Sequence, residues 1–181
     1  MLGRVPHSYD RRPAPAVVGF DPYRESLAGH DRLRHGQSYN DLKTSDFIHK
    51  NFVPVKIHLK ERPAWFHRFD AVWTPTVLLL DSDGRERVRL EGYLPNADFL
   101  AALQAGLGRI AFVHKQYADA ERWYGDVVKG FAQSHLAAEA MYWGAVTHYK
   151  ATNDHAVLGK VAEGLQRTYP FSDSLAAKVA P

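Results

Sequence analysis

Histidine and aspartate are the side chains of this sequence that could perform metal or acid–base chemistry. The chain has ten histidines, but no pair shows the i, i+4 helical spacing with an intervening glutamate that zinc proteases use. His30 and His35 are five positions apart, and on one helix they would point about 140° away from each other. We therefore expect dispersed surface histidines and no metal site.

The carboxylates suggest turn and helix-end roles. Asp81 and Asp83 flank the turn that ends in Gly84, where a carboxylate commonly accepts hydrogen bonds from its own backbone. Asp70 follows an aromatic segment and could lie near Pro75, although a solvated charge at a helix end is the simpler interpretation. The sequence therefore indicates no catalytic residue and no cofactor.

Cysteine is absent from all 181 residues. This chain can form no disulfide, no thiolate nucleophile, no zinc–thiolate site and no iron–sulfur cluster. The hydrophobic share of 45% and the charged share of 24% are those of a globular protein with a real core. That balance excludes collagen, coiled coil and wholesale disorder.

The formal charge of +3 is spread thinly, and no basic block of the kind that nucleic-acid-binding proteins concentrate on one face occurs. The longest apolar run, Val77 to Leu80, is too short to cross a bilayer, and the first residues lack the apolar stretch of a secretory signal. We expect a cytoplasmic protein that binds neither nucleic acid nor membrane.

The apolar pattern changes partway along the chain, which predicts an α/β part followed by a helical part. Alternating apolar residues predict a strand over 53–59. The continuous apolar run over 76–80 predicts a strand buried on both faces, and the pattern over 85–91 predicts its antiparallel partner, with one face exposed to solvent. A short strand over 16–20, one or two helices within 24–51, a short helix from Pro63 and a helix from Asn96 complete this part. Helices are predicted at roughly 109–130, 136–150 and 154–168. The expected divisions are a loose lead-in over 1–15, an α/β domain over 16–106 and a helical segment over 107–181, joined at Gly106 and Gly108.

The segment from Trp73 through Thr74, Pro75 and Thr76 to Gly84 resembles the second half of a thioredoxin-fold protein. The resemblance covers roughly residues 39–106, with a charged strand and the Glu91-Gly92-Tyr93-Leu94 stretch following in the family's order. It implies that Pro75 is cis and begins a strand that returns through an Asp-x-x-Gly-type turn. It also implies a mixed sheet flanked by helices.

The same resemblance implies a Cys-x-x-Cys motif at the start of the helix that follows the first strand. The matching place falls near Leu27 to His30, where neither position is a thiol. Thiol–disulfide exchange by this chain's own side chains is therefore excluded. His30 would lie at the helix end where the family does its chemistry, and surface capping is the favoured role for it.

The C-terminal part resembles a tetratricopeptide-type helix pair, over Gln116–Tyr124 and again over Ala137–Ala145. Only about one and a half repeats are present, so we expect this tail to be stabilised by packing against the α/β part or against a partner. We expect its dense aromatics to pack between helices, with some left partly exposed as a binding groove. The candidates are Trp123, Tyr124, Tyr142 and Trp143.

Three functional hypotheses follow. The first is a thioredoxin-like binding or assembly module without redox activity, which holds a protein or extended peptide in a groove formed by Trp73, Thr74, Pro75, Thr76 and His30, or on the aromatic tail. The second is a member of a thiol–disulfide oxidoreductase family that has lost its active-site cysteines. The third is a subunit, homo-oligomeric or not, whose missing first strand is completed by another chain.

Overall fold

The structure is a computed structural model that describes residues 14–21, 41–58 and 60–169, with Asp21 described by its backbone alone. Four strands and six helices occur in the described residues. They are β1 (Ala16–Asp21), α1 (Leu42–Asn51), β2 (Val53–His58), α2 (Pro63–Arg68), β3 (Thr76–Leu80), β4 (Glu86–Glu91), α3 (Asn96–Val113), α4 (Tyr117–Gly130), α5 (Leu136–Thr152) and α6 (Ala156–Thr168).

The four strands form one mixed sheet in the order β2-β1-β3-β4. β1 runs parallel to β2 and antiparallel to β3, and β3 runs antiparallel to β4. This is the α/β sheet that the sequence predicts, and a helical stretch from α3 to α6 follows it. The hypothesis that another chain supplies the first strand is wrong, because Ala16–Asp21 of this chain lies in the interior of the sheet.

Proline at the second position of β2 is compatible with the sheet because β2 lies at its end. Val53 N donates to Pro15 O at 2.9 Å. Since successive residues of a strand turn their backbone groups to opposite sides, the nitrogen of Pro54 faces away from β1. Among the strands that the structure describes, no ladder hydrogen bond is lost there.

Both faces of the sheet are covered. On one face Val17, Val77 and Leu79 pack under side chains of α1 and α3. On the other face Leu78 and Leu80 pack with Phe66 of α2. All five residues of β3 are consequently buried, as the unbroken apolar run predicts.

Helix α3 continues through the predicted join between the two parts of the chain. Gly106 faces the sheet, where a Cβ would collide with the Leu79 side chain, and Gly108 faces α4, where a Cβ would lie 2.9 Å from the Tyr124 ring. Each glycine therefore allows a close approach on a different side of the helix. The two glycines are positions of tight packing within α3.

The predicted helix over 109–130 is wrong, because α3 ends at Val113 and α4 begins at Tyr117. Lys115 adopts the left-handed region with φ 60°, and Gln116 N donates to Ala111 O at 2.9 Å. This is the bonding pattern of a helix end that usually carries glycine.

The four C-terminal helices pack in sequence, α3 on α4, α4 on α5 and α5 on α6. None of the helices in the described residues has both the length and the apolar character that a membrane crossing requires.

Candidate functional site

The register of the sheet places one end of each of the four strands side by side, along the same side of the sheet. Thr76, the first residue of β3, pairs with Phe20 near the end of β1 and with Glu91 at the end of β4. Asp21 at the end of β1 in turn pairs with His58 at the end of β2. The segment that enters β3 therefore lies at the carboxyl ends of the other three strands.

An exposed apolar surface lies at these strand ends, and we call Val72, Trp73, Thr74, Pro75 and Tyr93 the strand-end surface. Val72 is 74% exposed, Trp73 69% and Tyr93 49%. The Thr74–Pro75 peptide bond is cis. Large apolar side chains with this much exposure are grouped here without any covering element among the described residues, which is typical of an interaction site.

Hydrogen bonds hold the carboxyl end of the exposed segment in place. The Thr76 hydroxyl donates to Trp73 O at 2.6 Å, and Gly92 N donates to Pro75 O at 2.9 Å. Gly92 has φ 83°, which glycine adopts without strain. The backbone of Trp73 and Pro75 is thus fixed while the Trp73 ring remains in solvent.

The amino-terminal side of the segment is held by Arg89 of β4. Arg89 Nη2 donates to Phe69 O at 2.6 Å, and Arg89 Nη1 donates to Asp70 O at 3.3 Å. Phe69 directly follows α2 and is its C-terminal cap. The segment from Val72 to Thr74, which faces solvent, is therefore held by hydrogen bonds on both of its sides.

The predicted groove residues do not all face a ligand. Trp73 and Thr74 are exposed and Pro75 is half-buried, but the Thr76 side chain is fully buried because β3 is covered on both faces. Thr76 therefore positions Trp73 through its hydroxyl, and the prediction that it lines a groove is wrong. His30 lies outside the described residues.

The four aromatics predicted to form a binding groove on the tail are used for packing. Trp123 lies against Phe47 with the ring centroids 5.9 Å apart, and Trp143 lies against Phe112 at 5.5 Å. Tyr142 is half-buried and packs edge-on against Trp143. Tyr124 is only 2% exposed, which corrects the prediction that it faces a partner, because its ring fills the close approach at Gly108.

The tail instead has a trough lined mainly by small and aliphatic side chains. It lies between α4 and α6, with α5 as its floor, and has a volume of about 350 Å³. Gly125, Ala140 and Gly144 leave the space open, and Val128 and Val161 contribute to the walls. The aromatic residues of the tail do not indicate this trough, and its signal in the sequence is small residues at helical spacing on two neighbouring helices.

Asp81, Asp83 and His114 form a cluster whose ligand-type atoms lie within 4.8 Å of one another. Asp81 Oδ1 already accepts hydrogen bonds from Asp83 N at 3.0 Å and Arg85 N at 2.9 Å, and Oδ2 accepts from Arg87 Nε at 2.6 Å. An arginine cation in contact with the buried carboxylate oxygen competes with any metal ion there. The donor set fits a turn-stabilising carboxylate better than a metal centre.

The electrostatics of Asp81 agree with that role. Burial alone would raise the pKa of Asp81, but the hydrogen bonds from Arg85 N, Arg87 and Asp83 N outweigh burial and lower the pKa below its usual value. The prediction that this carboxylate binds its own turn is confirmed by these bonds.

Comparison with known families matches residues 31–107 to the family described as Thioredoxin-like domain. The match includes α1, the strands β2 to β4, the strand-end surface and the first two-thirds of α3. A search of curated proteins finds no match. Because the sheet order, the helices on its two faces and the matched residues agree, this matched part of the chain has a thioredoxin-like fold, without the Cys-x-x-Cys motif.

Proposed function

We propose that this chain is a thioredoxin-like protein without redox activity that binds an extended segment of another protein at the strand-end surface. The observation that carries the proposal is Trp73, which is 69% exposed on a backbone segment held by hydrogen bonds on both sides. Tryptophan, with tyrosine and arginine, is enriched among the residues that dominate binding energy at interfaces.

The fastening of the segment supports binding for an energetic reason. A free loop must be ordered when it meets a partner, and that loss of freedom subtracts from the affinity. Arg89, Thr76 and Gly92 have already ordered the backbone around Trp73. The conformational entropy lost on binding is therefore limited to that of the partner and of the exposed side chains at the surface.

An extended occupant is favoured by the shape of the site. The residues from Val72 to Pro75 precede β3 and lie outside the strands. An extended peptide can pair with such backbone while its alternate side chains contact Trp73 and Tyr93.

The alternative is a member of a thiol–disulfide oxidoreductase family whose active-site cysteines are lost, and its first test is an activity assay. Without cysteine, the chain has no group that can attack a disulfide. We expect insulin reduction with the purified chain to equal the buffer background. Turnover above background would overturn the non-redox half of the proposal.

The binding half is tested with peptides selected from a random extended-peptide library against the full chain. We expect Trp73→Ala to weaken the selected peptides by tenfold or more. Val53→Ala is the matched control, because Val53 is 51% exposed but lies at the start of β2, at the opposite end of the strand from the surface. Equal affinity for the wild type and Trp73→Ala, or a selection that yields no peptide, would contradict the proposal.

A further inference from the structure

The trough on the helical tail is a second candidate site, separate from the strand-end surface. Its lining comes from one face of each of three helices. Residues 121, 124, 125, 128 and 129 of α4 recur at helical spacing, as do 140, 141, 144, 145 and 148 of α5. Val157 and Val161 of α6 form the opposite wall. The result is an apolar channel that runs along α5.

The charges at the trough are placed at its two ends. Glu121 and Lys129 both lie on the α4 wall, eight residues apart, which is about 12 Å along a helix. His148 Nδ1 lies 3.1 Å from Glu121 Oε1 and joins α4 to α5 at the first end. The trough is therefore acidic on its α4 wall at the end near Glu121 and basic at the end near Lys129.

Opposite charges at this separation match the two ends of a helix. A helix has a partial positive charge at its N-terminus and a partial negative charge at its C-terminus, whereas an extended strand has only a small net dipole. The 12 Å spacing corresponds to slightly more than two helical turns. An occupant helix would meet complementary charge at both ends when its N-terminus lies beside Glu121.

The small residues of the α4 wall and of the floor would let such a helix come close. A Cβ added at Gly125 meets no atom within 4 Å, and one added at Gly144 meets only Tyr124 Cβ at 3.6 Å. Large aliphatic side chains of an incoming helix can fill this space, as one helix packs its ridges into the grooves of another. We propose that the trough binds an amphipathic helix of a partner protein, parallel to α4, with its N-terminus beside Glu121.

The test uses the full chain labelled with ¹⁵N and one synthetic probe. The probe is a nine-residue acetylated and amidated peptide, whose helix is about 12 Å long, with leucine and alanine along one helical face and glutamine elsewhere. We expect saturable shifts of the Gly125 and Gly144 amides and a gain of helical circular dichroism on mixing. Binding without a gain in helix, or shifts confined to other parts of the chain, would overturn the proposal.

Two matched glycine substitutions localise the binding. Gly125→Leu fills the trough, while Gly159→Leu adds the same side chain on α6 at a position that is also open and outside the lining. Leucine favours helix over glycine at both sites, so both variants should fold. We expect Gly125→Leu to weaken the peptide by at least tenfold and Gly159→Leu to change its affinity by less than twofold. Equal effects of the two variants would contradict the assignment.

The direction of the helix is tested with a spin label on one end of the peptide. A label on the N-terminus should broaden the amide signals near Glu121 and His148, and a label on the C-terminus those near Lys129. The double charge swap Glu121→Lys with Lys129→Glu should reverse this pattern. An unchanged pattern would show that charge does not orient the occupant, and a dimer that Gly125→Leu converts to monomer would show that a second copy fills the trough.

Discussion

Arg89 Nη2 donates to the backbone oxygen of Phe69 at 2.6 Å and so joins strand β4 to the end of helix α2. The guanidinium is itself oriented by Glu86, whose two carboxylate oxygens accept from Nε at 2.8 Å and Nη2 at 2.7 Å. These hydrogen bonds to Glu86 raise the pKa of Arg89, so the cation persists. A planar, two-pronged contact of this kind fixes direction as well as distance. Arg89 thereby sets where the chain leaves α2 for the strand-end surface.

Replacement of Arg89 by lysine should therefore impair presentation of Trp73 while the charge is kept. Lysine cannot reproduce the planar set of donors that reaches Glu86 and the two carbonyls at once. We expect peptides that bind the strand-end surface to lose about fivefold in affinity, which is about 1 kcal/mol. Quenching of Trp73 fluorescence by acrylamide, assigned by difference with Trp73→Phe, should change in the same variant.

Arg122→Lys is the matched control for that experiment. Arg122 also pairs with an acid at i, i+3, Asp119 at 3.3 Å, but the pair is exposed and contacts no carbonyl of the α2 end. It should leave peptide affinity unchanged. Equal losses in the two variants would show that Arg89 has no special part in positioning the site.

Asp81→Asn should destabilise the protein in a pH-dependent way. The variant loses the negative charge that faces Arg87 and leaves that donor poorly matched, at a cost of about 3 kcal/mol. The pKa of Asp81 is lowered in the folded state, so its contribution is complete above the unfolded-state pKa and disappears as pH falls through the lower folded value. Urea denaturation at pH 7 and at pH 3 should show a large difference between wild type and variant at pH 7 and a smaller one at pH 3. A difference that stays constant with pH would contradict this account.

Tyr124→Phe should stabilise the protein slightly. The Tyr124 hydroxyl is buried and has no hydrogen-bond partner among the described residues. Burial is the largest cause that raises the pKa of this phenol, to which Glu139 adds and which Arg109 opposes, so the hydroxyl stays neutral. Removal of an unsatisfied buried polar atom should increase the free energy of unfolding by about 1 kcal/mol. A loss of stability in chemical denaturation would mean that the hydroxyl is bonded.

Gly106→Ala and Gly125→Ala should shift stability in opposite directions. At Gly106 a methyl group would collide with Leu79 and force α3 away from the sheet, which should cost about 1–3 kcal/mol. At Gly125 the space is open, so the higher helix propensity of alanine should add up to about 1 kcal/mol. Thermal melts of the two variants decide the matter, and a Gly106→Ala variant as stable as the wild type would show that α3 can move away from β3 at little cost.

The parts of the fold that local chemistry determines were predictable from the sequence. The apolar run over 76–80 predicted β3, and the turn that ends in Gly84 predicted the change of chain direction after it, since each depends on neighbouring residues only. The end of α3 was not predictable, because Lys115 takes a left-handed conformation that usually signals itself through glycine. The helix end is closed by backbone hydrogen bonds from Lys115 N to Phe112 O and from Gln116 N to Ala111 O, although Lys115 carries a side chain.

The candidate site was predictable in position and less so in detail. The resemblance around Pro75 indicated the segment that proves to be exposed, but whether Trp73 or Thr76 faces solvent depends on which elements cover β3. That coverage comes from α2 and α3, and the face of the sheet on which each helix packs is set by the tertiary structure. The trough was not predictable for a related reason, since glycine and alanine do not indicate a binding site until three helices bring them together.

Helix α3 contributes to the sheet core through Leu103 and Leu107 and to the tail core through Ala101 and Ala111. One rigid element is thus common to both halves of the described chain. The spacing between the strand-end surface and the trough is consequently set by a single helix and not by a linker. A partner molecule that binds both sites must match one separation and one angle. The length of the partner, as well as its side chains, therefore determines whether it binds.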